Sequence, residues 1–285
     1  MSLSPRAFAC AIGAACLLAC VGPAGAQVAA GVPAAPAVDN FEVRQQASFE
    51  IWSGDTRLGT EKFRIYASHD TLITTSTVRL DGASAGSALP FEKRTTFLQR
   101  AFDSYPLMFQ ISQQPRSDTT ATMSLNCVFR DTSVTIYKEA LQRGVGTAVA
   151  LPPGRLYILE PGVYLQVQLL LADFLAGSQE KRRQAVLIPS VEQVVDLYLT
   201  RGPVEAIVVR GKRVDAQRID FTDKLTSLVG WVDKNGRMWK LEAPGQGLRV
   251  ERGPDLEAKV AGPRTSSAKQ TARPRNRPAT GGKKP

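Results

Sequence analysis

The chain has 285 residues, a net charge of +10 and a hydrophobic content of 43%. It has one histidine, His69, and after residue 20 only one cysteine, Cys127. These counts exclude an internal disulfide in the body and the usual histidine- and cysteine-based metal sites.

The first 26 residues have the pattern of a secretory signal peptide. Arg6 precedes an uncharged run that ends at Cys20, and residues 24–26 are small. The run is shorter than the roughly 20 residues that span a bilayer, so it predicts cleavage after residue 26 and export, for example to the periplasm. Residues 17–20 also fit the signal of bacterial lipoproteins. In that alternative Cys20 carries the lipid and anchors the protein to a membrane.

Two flanking segments are predicted to lie outside the folded body. Residues 27–40, rich in Ala, Pro and Val, predict a linker, and residues 253–285 predict a disordered tail. The tail has eight basic and two acidic residues and no aromatic residue on which a nucleobase could stack, so nucleic acid is not its expected partner. Its charge favours anionic envelope polymers or phospholipid head groups, and a solvated spacer is the alternative.

Residues 41–252 predict one domain built mainly of β-strands. Apolar and polar residues alternate in residues 49–52 and 63–66, which predicts an early hairpin. The spacing of the strand-like runs that follow favours an antiparallel meander, and a strongly twisted sheet of many strands curls over its own apolar face. These runs are residues 71–80, 94–99, 107–113, 119–130 and 133–139.

One segment, residues 162–176, predicts a helix. Apolar residues surround nearly its whole circumference, and only Gln166, Gln168 and Asp173 interrupt them. Pro161 lies near its start, and at 1.5 Å per residue its length of about 25 Å is comparable to the width of a curved sheet. The predicted fold class is therefore α+β, a strongly curved antiparallel half-barrel wrapped around one largely apolar helix.

The C-terminal part of the body is predicted to return to strands. Asn235-Gly236 predicts a two-residue type I′ turn, which would place Val232 opposite Trp239 and Trp231 opposite Lys240. The segments before this hairpin are residues 185–189 and 191–199, as strand or short helix, and residues 204–209 and 215–221, as strands.

Three features of the body carry a family resemblance. They are the early hairpin with Leu58-Gly59 after Trp52, the apolar helix near residues 164–175, and the closing Trp231-Val232-Asp233 with Asn235-Gly236-Arg237. In these features the chain resembles uncharacterised bacterial envelope proteins whose domain is similar to the half-barrel lipoprotein and lipid carriers of the periplasm. The resemblance implies a helix against the hollow face of a curved sheet and binding of an acyl or lipid-bearing molecule there. It implies no catalytic residue.

Apparent enzyme motifs do not have the context that their chemistry needs. Residues Gly82–Gly86 spell the G-x-S-x-G of a nucleophile elbow, but a small-residue loop surrounds them and His69 lies upstream. His69 beside Asp70 predicts a polar turn, and Cys127 in a strand predicts a buried small hydrophobe. We therefore predict no catalytic residue, metal site or cofactor.

The predicted function is noncatalytic binding or carriage of a hydrophobic envelope molecule. One alternative is an envelope scaffold whose hollow is filled by its own side chains around residues 169–175, and another is a cofactor-free enzyme that uses the same hollow. Aromatic residues are the side chains most expected to line a pocket. The candidates are Trp52, Tyr164, Phe174, Trp231 and Trp239.

Overall fold

The computed structural model describes residues 41–81, 90–116, 123–140, 143–223 and 226–255. Within these ranges it contains one α-helix, α1 (Tyr164–Ala176), and two short 3-10 helices, Pro189–Val191 and Pro244–Gln246. The strands are β1 (Glu42–Ser53), β2 (Thr56–Ala67), β3 (Thr71–Leu80), β4 (Phe91–Arg100), β5 (Pro106–Pro115), β6 (Met123–Arg130), β7 (Ser133–Ala140), β8 (Arg143–Ala150), β9 (Leu156–Ile158), β10 (Lys181–Ile188), β11 (Gln193–Val209), β12 (Lys212–Thr222), β13 (Ser227–Val232), β14 (Met238–Ala243) and β15 (Leu248–Arg252).

Several sequence predictions fall outside the described residues. They concern the signal peptide with Cys20, the linker, the G-x-S-x-G motif and residues 256–285 of the tail. The beginning of the predicted tail is described: the N–H of Gly253 donates to the carbonyl of Ser48 over 2.8 Å, and Asp255 pairs with Arg252. The folded body therefore extends at least to Asp255.

All fifteen described strands belong to one sheet. Strands β1 to β8 follow one another outward on one side, β15 to β9 follow on the other, and β1 pairs with β15 at the junction. The pairs are antiparallel except for β9 and β10, which are parallel. That exception was not predicted, and its cause is α1, which connects β9 to β10 as the crossover that parallel neighbours require.

The sheet curls strongly, as the sequence predicted. Phe109 on β5 and Ile136 on β7 share a buried cluster with Leu156 on β9 and Leu187 on β10, although these strands lie near opposite ends of the sheet order. A larger cluster joins α1 to β1–β3 and β10–β15. The predicted α+β fold, a curved and mainly antiparallel sheet around one apolar helix, is confirmed.

Both ends of α1 are tied to the sheet. At the start, the N–H groups of Tyr164 and Leu165 donate to the carboxylate of Glu61 on β2, at 2.7 and 3.2 Å. At the end, the guanidinium of Arg201 on β11 donates to backbone carbonyls, among them that of Gly177 at 2.7 Å. The Glu61 side chain satisfies N–H groups that the helix start leaves unpaired, and the Arg201 guanidinium does the same for carbonyls at the helix end, so the sheet fixes the position of α1.

The turn between β13 and β14 differs from the predicted two-residue type I′ turn. The N–H of Gly236 donates to the carbonyl of Asp233 over 2.9 Å, and within this turn only Gly236 has a positive φ, of 76°. The Asp233 carboxylate accepts hydrogen bonds from the N–H groups of Asn235 and Arg237. These side-chain hydrogen bonds stabilise a longer turn that needs a left-handed residue at one position instead of two.

The register of this hairpin was predicted only in part. Trp231 lies opposite Lys240 as expected, but Val232 pairs with Met238 and not with Trp239. A register shift between Trp231 and Val232 causes the difference, because it leaves one extra residue on β14.

Strand predictions elsewhere were incomplete. The separate runs 191–199 and 204–209 belong to one strand of 17 residues, β11. Strands β8, β9 and β15 were not predicted, because the first is rich in Gly and Ala and the other two have only 3 and 5 residues.

Candidate functional site

One side of α1 packs directly against β13 and β14, and we call it the packed side. Leu170, Leu171 and Phe174 lie there with 0 to 1% of their surface exposed. A Cβ atom added to Gly230 would overlap Cδ1 of Leu171, so the absence of a side chain on β13 allows the helix to approach closely. At this position of the described structure, α1 and β13 are in direct contact.

A small cavity lies beside the start of α1. Its volume is about 40 Å³, and Val163, Tyr164 and Val167 line it together with Phe221 and Leu241 from the sheet. This volume has room for one or two water molecules but not for an acyl chain.

An adjacent side of α1 faces β4 and β9 and leaves an open space, which we call the inner cavity. It has a volume of about 170 Å³. Gln166, Leu169 and Asp173 line it from α1 at positions i, i+3 and i+7, which share one face of a helix. The other lining residues are Phe97, Gln99, Ser104, Tyr157 and Ile158.

A second space, the outer cavity, adjoins the inner cavity. Its volume is about 350 Å³, and it lies among the β4–β5 and β6–β7 turns and the segment that leads into β9. Ser104 lines both cavities, and Phe102, whose exposed fraction is 77%, lines the outer one. The remaining lining residues are Asp103, Tyr105, Pro106, Asp131, Leu151, Pro152, Gly154, Arg155 and Leu156.

Arg155 lies at the boundary between the two cavities. Its guanidinium donates to Asp173 and, over 2.6 Å, to the hydroxyl of Ser104. Arg182 donates to the other oxygen of Asp173 over 2.8 Å. Partial burial acts to raise the pKa of Asp173, but the nearby Tyr157 hydroxyl and the two guanidinium groups outweigh it and lower the pKa. Asp173 is therefore ionised at neutral pH, with both oxygens engaged.

Tyr157 and Gln166 differ in whether their buried donor has a partner. Burial and a hydrogen bond to the Asp173 carboxylate raise the pKa of Tyr157, so its hydroxyl keeps its proton and donates to Asp173. Nε2 of Gln166, a residue with an exposed fraction of 3%, has no hydrogen-bond partner among the described residues. An unsatisfied buried donor is costly to the folded state.

A buried polar network holds the start of α1. Lys93 on β4 donates to the carboxylate of Glu160 and to the carbonyl of Pro161, both at 2.9 Å. Ser76 on β3 donates to Glu61 over 2.5 Å. Burial raises the pKa of Glu61 to about 7, although the hydrogen bonds from Ser76 and the helix backbone act to lower it.

The five predicted ligand-binding aromatics do not form one site. Tyr164 lines the small cavity and Phe174 belongs to the packed side of α1. Trp231 and Trp239 donate from their indole nitrogens to Glu205 and Asp233, while Trp231 packs in a cluster separate from α1. Trp52 lies on β1, where the guanidinium of Arg249 is 5.4 Å from its ring centroid. None of the five lines the inner or the outer cavity.

The remaining chemical candidates are placed as follows. His69 is exposed in the turn between β2 and β3, where Ser68 bonds to Asp70, so the predicted polar turn is confirmed. Cys127 is completely buried, also as predicted, and burial raises the pKa of its thiol.

Among the described residues, no three His, Cys, Asp or Glu side chains are grouped to hold a metal ion. In the same residues no helix is both long enough and apolar enough to span a membrane.

One feature of the sequence could have predicted the position of the inner cavity. Gln166 and Asp173, the polar interruptions of an otherwise apolar helix, lie on the face that the sheet leaves uncovered. The roles of Arg155 and Tyr157 could not be predicted from the sequence. Arg155 lies on a loop and Tyr157 on a three-residue strand, and only the tertiary structure determines which residues they contact.

Comparisons with known proteins add a likeness in fold. No protein-family profile matches this chain, and no curated protein matches it. The crystal structure of a β-barrel-like protein of the domain of unknown function DUF1849 from Brucella abortus is similar, with 13% sequence identity and a TM-score of 0.47. The match covers 76% of this chain and 100% of that protein. Its description gives a barrel-like fold and no function, so the link to lipid carriers stays a prediction.

Proposed function

We propose that this protein is an exported, noncatalytic binding protein or carrier for a hydrophobic molecule that bears an acyl chain. The observation that carries the proposal is the pair of adjoining cavities at the end of the curled sheet, with volumes of about 350 and 170 Å³. Pockets for small molecules have volumes of about 300 to 1,000 Å³, so this space is large enough for a short acyl chain with a small head group.

The walls of the cavities suit an amphiphilic molecule. Phe97, Ile158 and Leu169 give the inner cavity apolar surface, while Ser104 and Asp173 give it polar atoms. At the outer cavity, Phe102 exposes a large apolar ring that an entering chain can contact. Burial of apolar ligand surface is favourable by about 25 cal/mol per Å², so the apolar walls supply most of the expected affinity.

The noncatalytic part of the proposal rests on the surroundings of Ser104. Its hydroxyl is the only serine or threonine hydroxyl that lines either cavity in the described residues, and it accepts a hydrogen bond from Arg155. A guanidinium is always protonated and does not act as a general base, so the Arg155 partner does not activate this serine as a nucleophile.

Uptake of N-phenyl-1-naphthylamine, an uncharged apolar fluorophore, tests the proposal. The full chain is expressed with its own signal, purified from the periplasm without detergent and titrated with the fluorophore. We expect saturable fluorescence at one site for the native protein. Leu169→Trp fills the inner cavity and Leu151→Trp narrows the outer one, so each should weaken uptake at least tenfold. Val208→Trp, at a position that is 65% exposed on β11, is the matched control and should bind normally.

The packed side of α1 favours one alternative, an envelope scaffold. There the protein's own side chains fill the hollow, as a scaffold without a ligand pocket requires, and the basic tail would contact anionic polymers or a membrane. Absence of saturable uptake by the native protein, together with native mass spectra that show only the mass of the chain, would reject ligand binding in favour of this alternative.

A further inference from the structure

We infer that the free edge of β8 is an interaction surface that pairs with the same strand of a second copy of this chain. The inference is independent of the ligand-binding function proposed above. In the described residues β8 stands at one end of the sheet order and pairs with β7 alone, so its other edge has no strand beside it. Unpaired backbone groups of this kind are a template on which another strand can align.

The two ends of the sheet differ in how they limit such pairing. At the other end, β9 has only three residues, and a short edge strand offers few backbone groups to a partner. In contrast, β8 has eight residues and pairs with β7 without a register shift. It has no proline, and after Arg143 it has no charged residue. Proline, charge and bulges are the features that usually prevent association between edges, so this edge is unprotected.

The direction of the backbone groups along β8 follows from its bonds to β7. The N–H of Leu151, directly after the strand, donates to the carbonyl of Thr132 over 2.9 Å. Bonded and non-bonded positions alternate in an antiparallel pair, so the odd-numbered residues of β8 bond to β7 and the even-numbered residues point to the free edge. The residues that point to the free edge are all small and exposed, and they are Gly144, Gly146, Ala148 and Ala150.

The backbone of this edge is complementary to itself about Thr147. When two copies pair in antiparallel orientation with Thr147 at the centre, Gly144 lies opposite Ala150 of the second copy, and Gly146 lies opposite Ala148. All four residues that point to the edge then have a partner that also points to it. Each such pair exchanges two hydrogen bonds, so the two strands form about eight.

The side chains of β8 fit the same register. On the other face of the strand, Thr147 lies opposite its own copy and Val145 lies opposite Val149 of the second copy, so three cross-strand pairs consist of β-branched residues. Val145 has an exposed fraction of 67%, and pairing would cover it. Residues 144–150 carry no charge, so no like-charge repulsion opposes the contact. A second copy is therefore the partner that satisfies both the backbone and the side chains of this edge.

A disulfide located on the symmetry axis tests the register. Residues 147 of the two copies form a non-hydrogen-bonded pair with Cα atoms about 4.5 Å apart, which a disulfide can bridge. Thr147→Cys in the full chain, purified from the periplasm, should therefore give a covalent dimer on a non-reducing gel. Val145→Cys is the matched control, because its two copies would lie about 14 Å apart along the strands and should stay unlinked. Cys127 is completely buried and should not form the link.

A proline on the free edge tests the association without a cross-link. Ala148→Pro removes an N–H that points to the edge and leaves the bonds to β7 in place. Sedimentation velocity should show a dimer fraction that rises with the concentration of the native protein. One hydrogen bond corresponds to about fivefold in affinity and the symmetric dimer loses two, so the variant should associate at least tenfold more weakly. Ala148→Ser keeps the N–H and should associate like the native protein.

The possible failures are distinct. A native protein that stays monomeric at every concentration, with Thr147→Cys unlinked, would overturn the inference. Equal cross-linking of both cysteine variants, or native association of Ala148→Pro, would show that the copies meet through another surface. A monomer whose amides at Gly146 and Ala148 exchange slowly with solvent would show that another segment of the same chain covers the edge, and would also overturn the inference.

Discussion

The two sides of α1 are made from the same short segment but face the sheet in different ways. On the packed side, Leu171 meets β13 at Gly230, a strand position without a side chain. On the side of the inner cavity, Leu169 faces side chains of β4 and β9 across an open space. The helix is held at both ends, by Glu61 and Arg201, so it cannot shift to fill that space. A fixed helix that is packed on one side can therefore keep a cavity on the other.

The largest expected effect tests this difference directly. Leu171→Ala should lower the free energy of unfolding by about 3 to 4 kcal/mol, because a fully buried leucine leaves a new cavity. Leu169 is only partly buried and borders the inner cavity, so Leu169→Ala removes less buried surface and should cost about 1 kcal/mol. Urea unfolding of both variants measures the two values. Equal losses would show that the inner cavity closes in solution and that the two sides are packed alike.

The next effect concerns Glu61, which holds the helix start that both sides share. Burial raises its pKa from the ordinary value of 4.5 to about 7, so between these pH values the folded protein binds more protons than the unfolded chain. The stabilisation by the proton is complete below pH 4.5 and is lost as the pH rises through about 7. The shift corresponds to about 3 kcal/mol of unfolding free energy.

Glu61→Gln tests this pH dependence, because the uncharged amide resembles the protonated acid. The variant should equal the native protein near pH 4.5 and should be more stable by as much as about 3 kcal/mol above pH 7. Asp173 and Glu92 should not contribute to the pH dependence between pH 4.5 and 7, because folding lowers their pKa values. The stabilisation that they provide is lost only when the pH falls below the pKa values of the unfolded chain. If the variant keeps the native slope between pH 4.5 and 7, another group is responsible and Glu61 is ionised throughout.

Much of the fold followed from local patterns in the sequence. The helix was predicted because apolar residues between Val163 and Leu175 surround nearly its whole circumference, and the early strands because branched and aromatic residues alternate with polar ones. The parallel pair β9–β10 could not be predicted, since β9 has three residues and is defined only by its neighbour. The turn at Asn235-Gly236 was predicted with the wrong type, because the Asp233 side chain decides it.

The candidate site was less predictable, and for a physical reason. Aromatic residues were chosen as pocket walls, but Trp231 and Trp239 use their indole N–H groups to bind carboxylates of the sheet. Gln166 and Gln168 look equivalent in the sequence, and only the positions of β1, β14 and β15 satisfy the second and leave the first with a free donor. Which polar group remains unpaired depends on contacts between residues far apart in the chain.

The smallest expected effect tests the close approach on the packed side. Gly230→Ala places a methyl group against Cδ1 of Leu171, and because that leucine is completely buried the overlap should cost about 2 kcal/mol. Gly245→Ala is the matched control, since a Cβ there has nothing within 4 Å and should change stability by less than about 0.5 kcal/mol. Combining Gly230→Ala with Leu171→Val should recover part of the loss, because the shorter side chain makes room for the methyl group. Without such recovery, the strain would lie in the backbone of β13 and the packed side would not depend on the contact between Gly230 and Leu171.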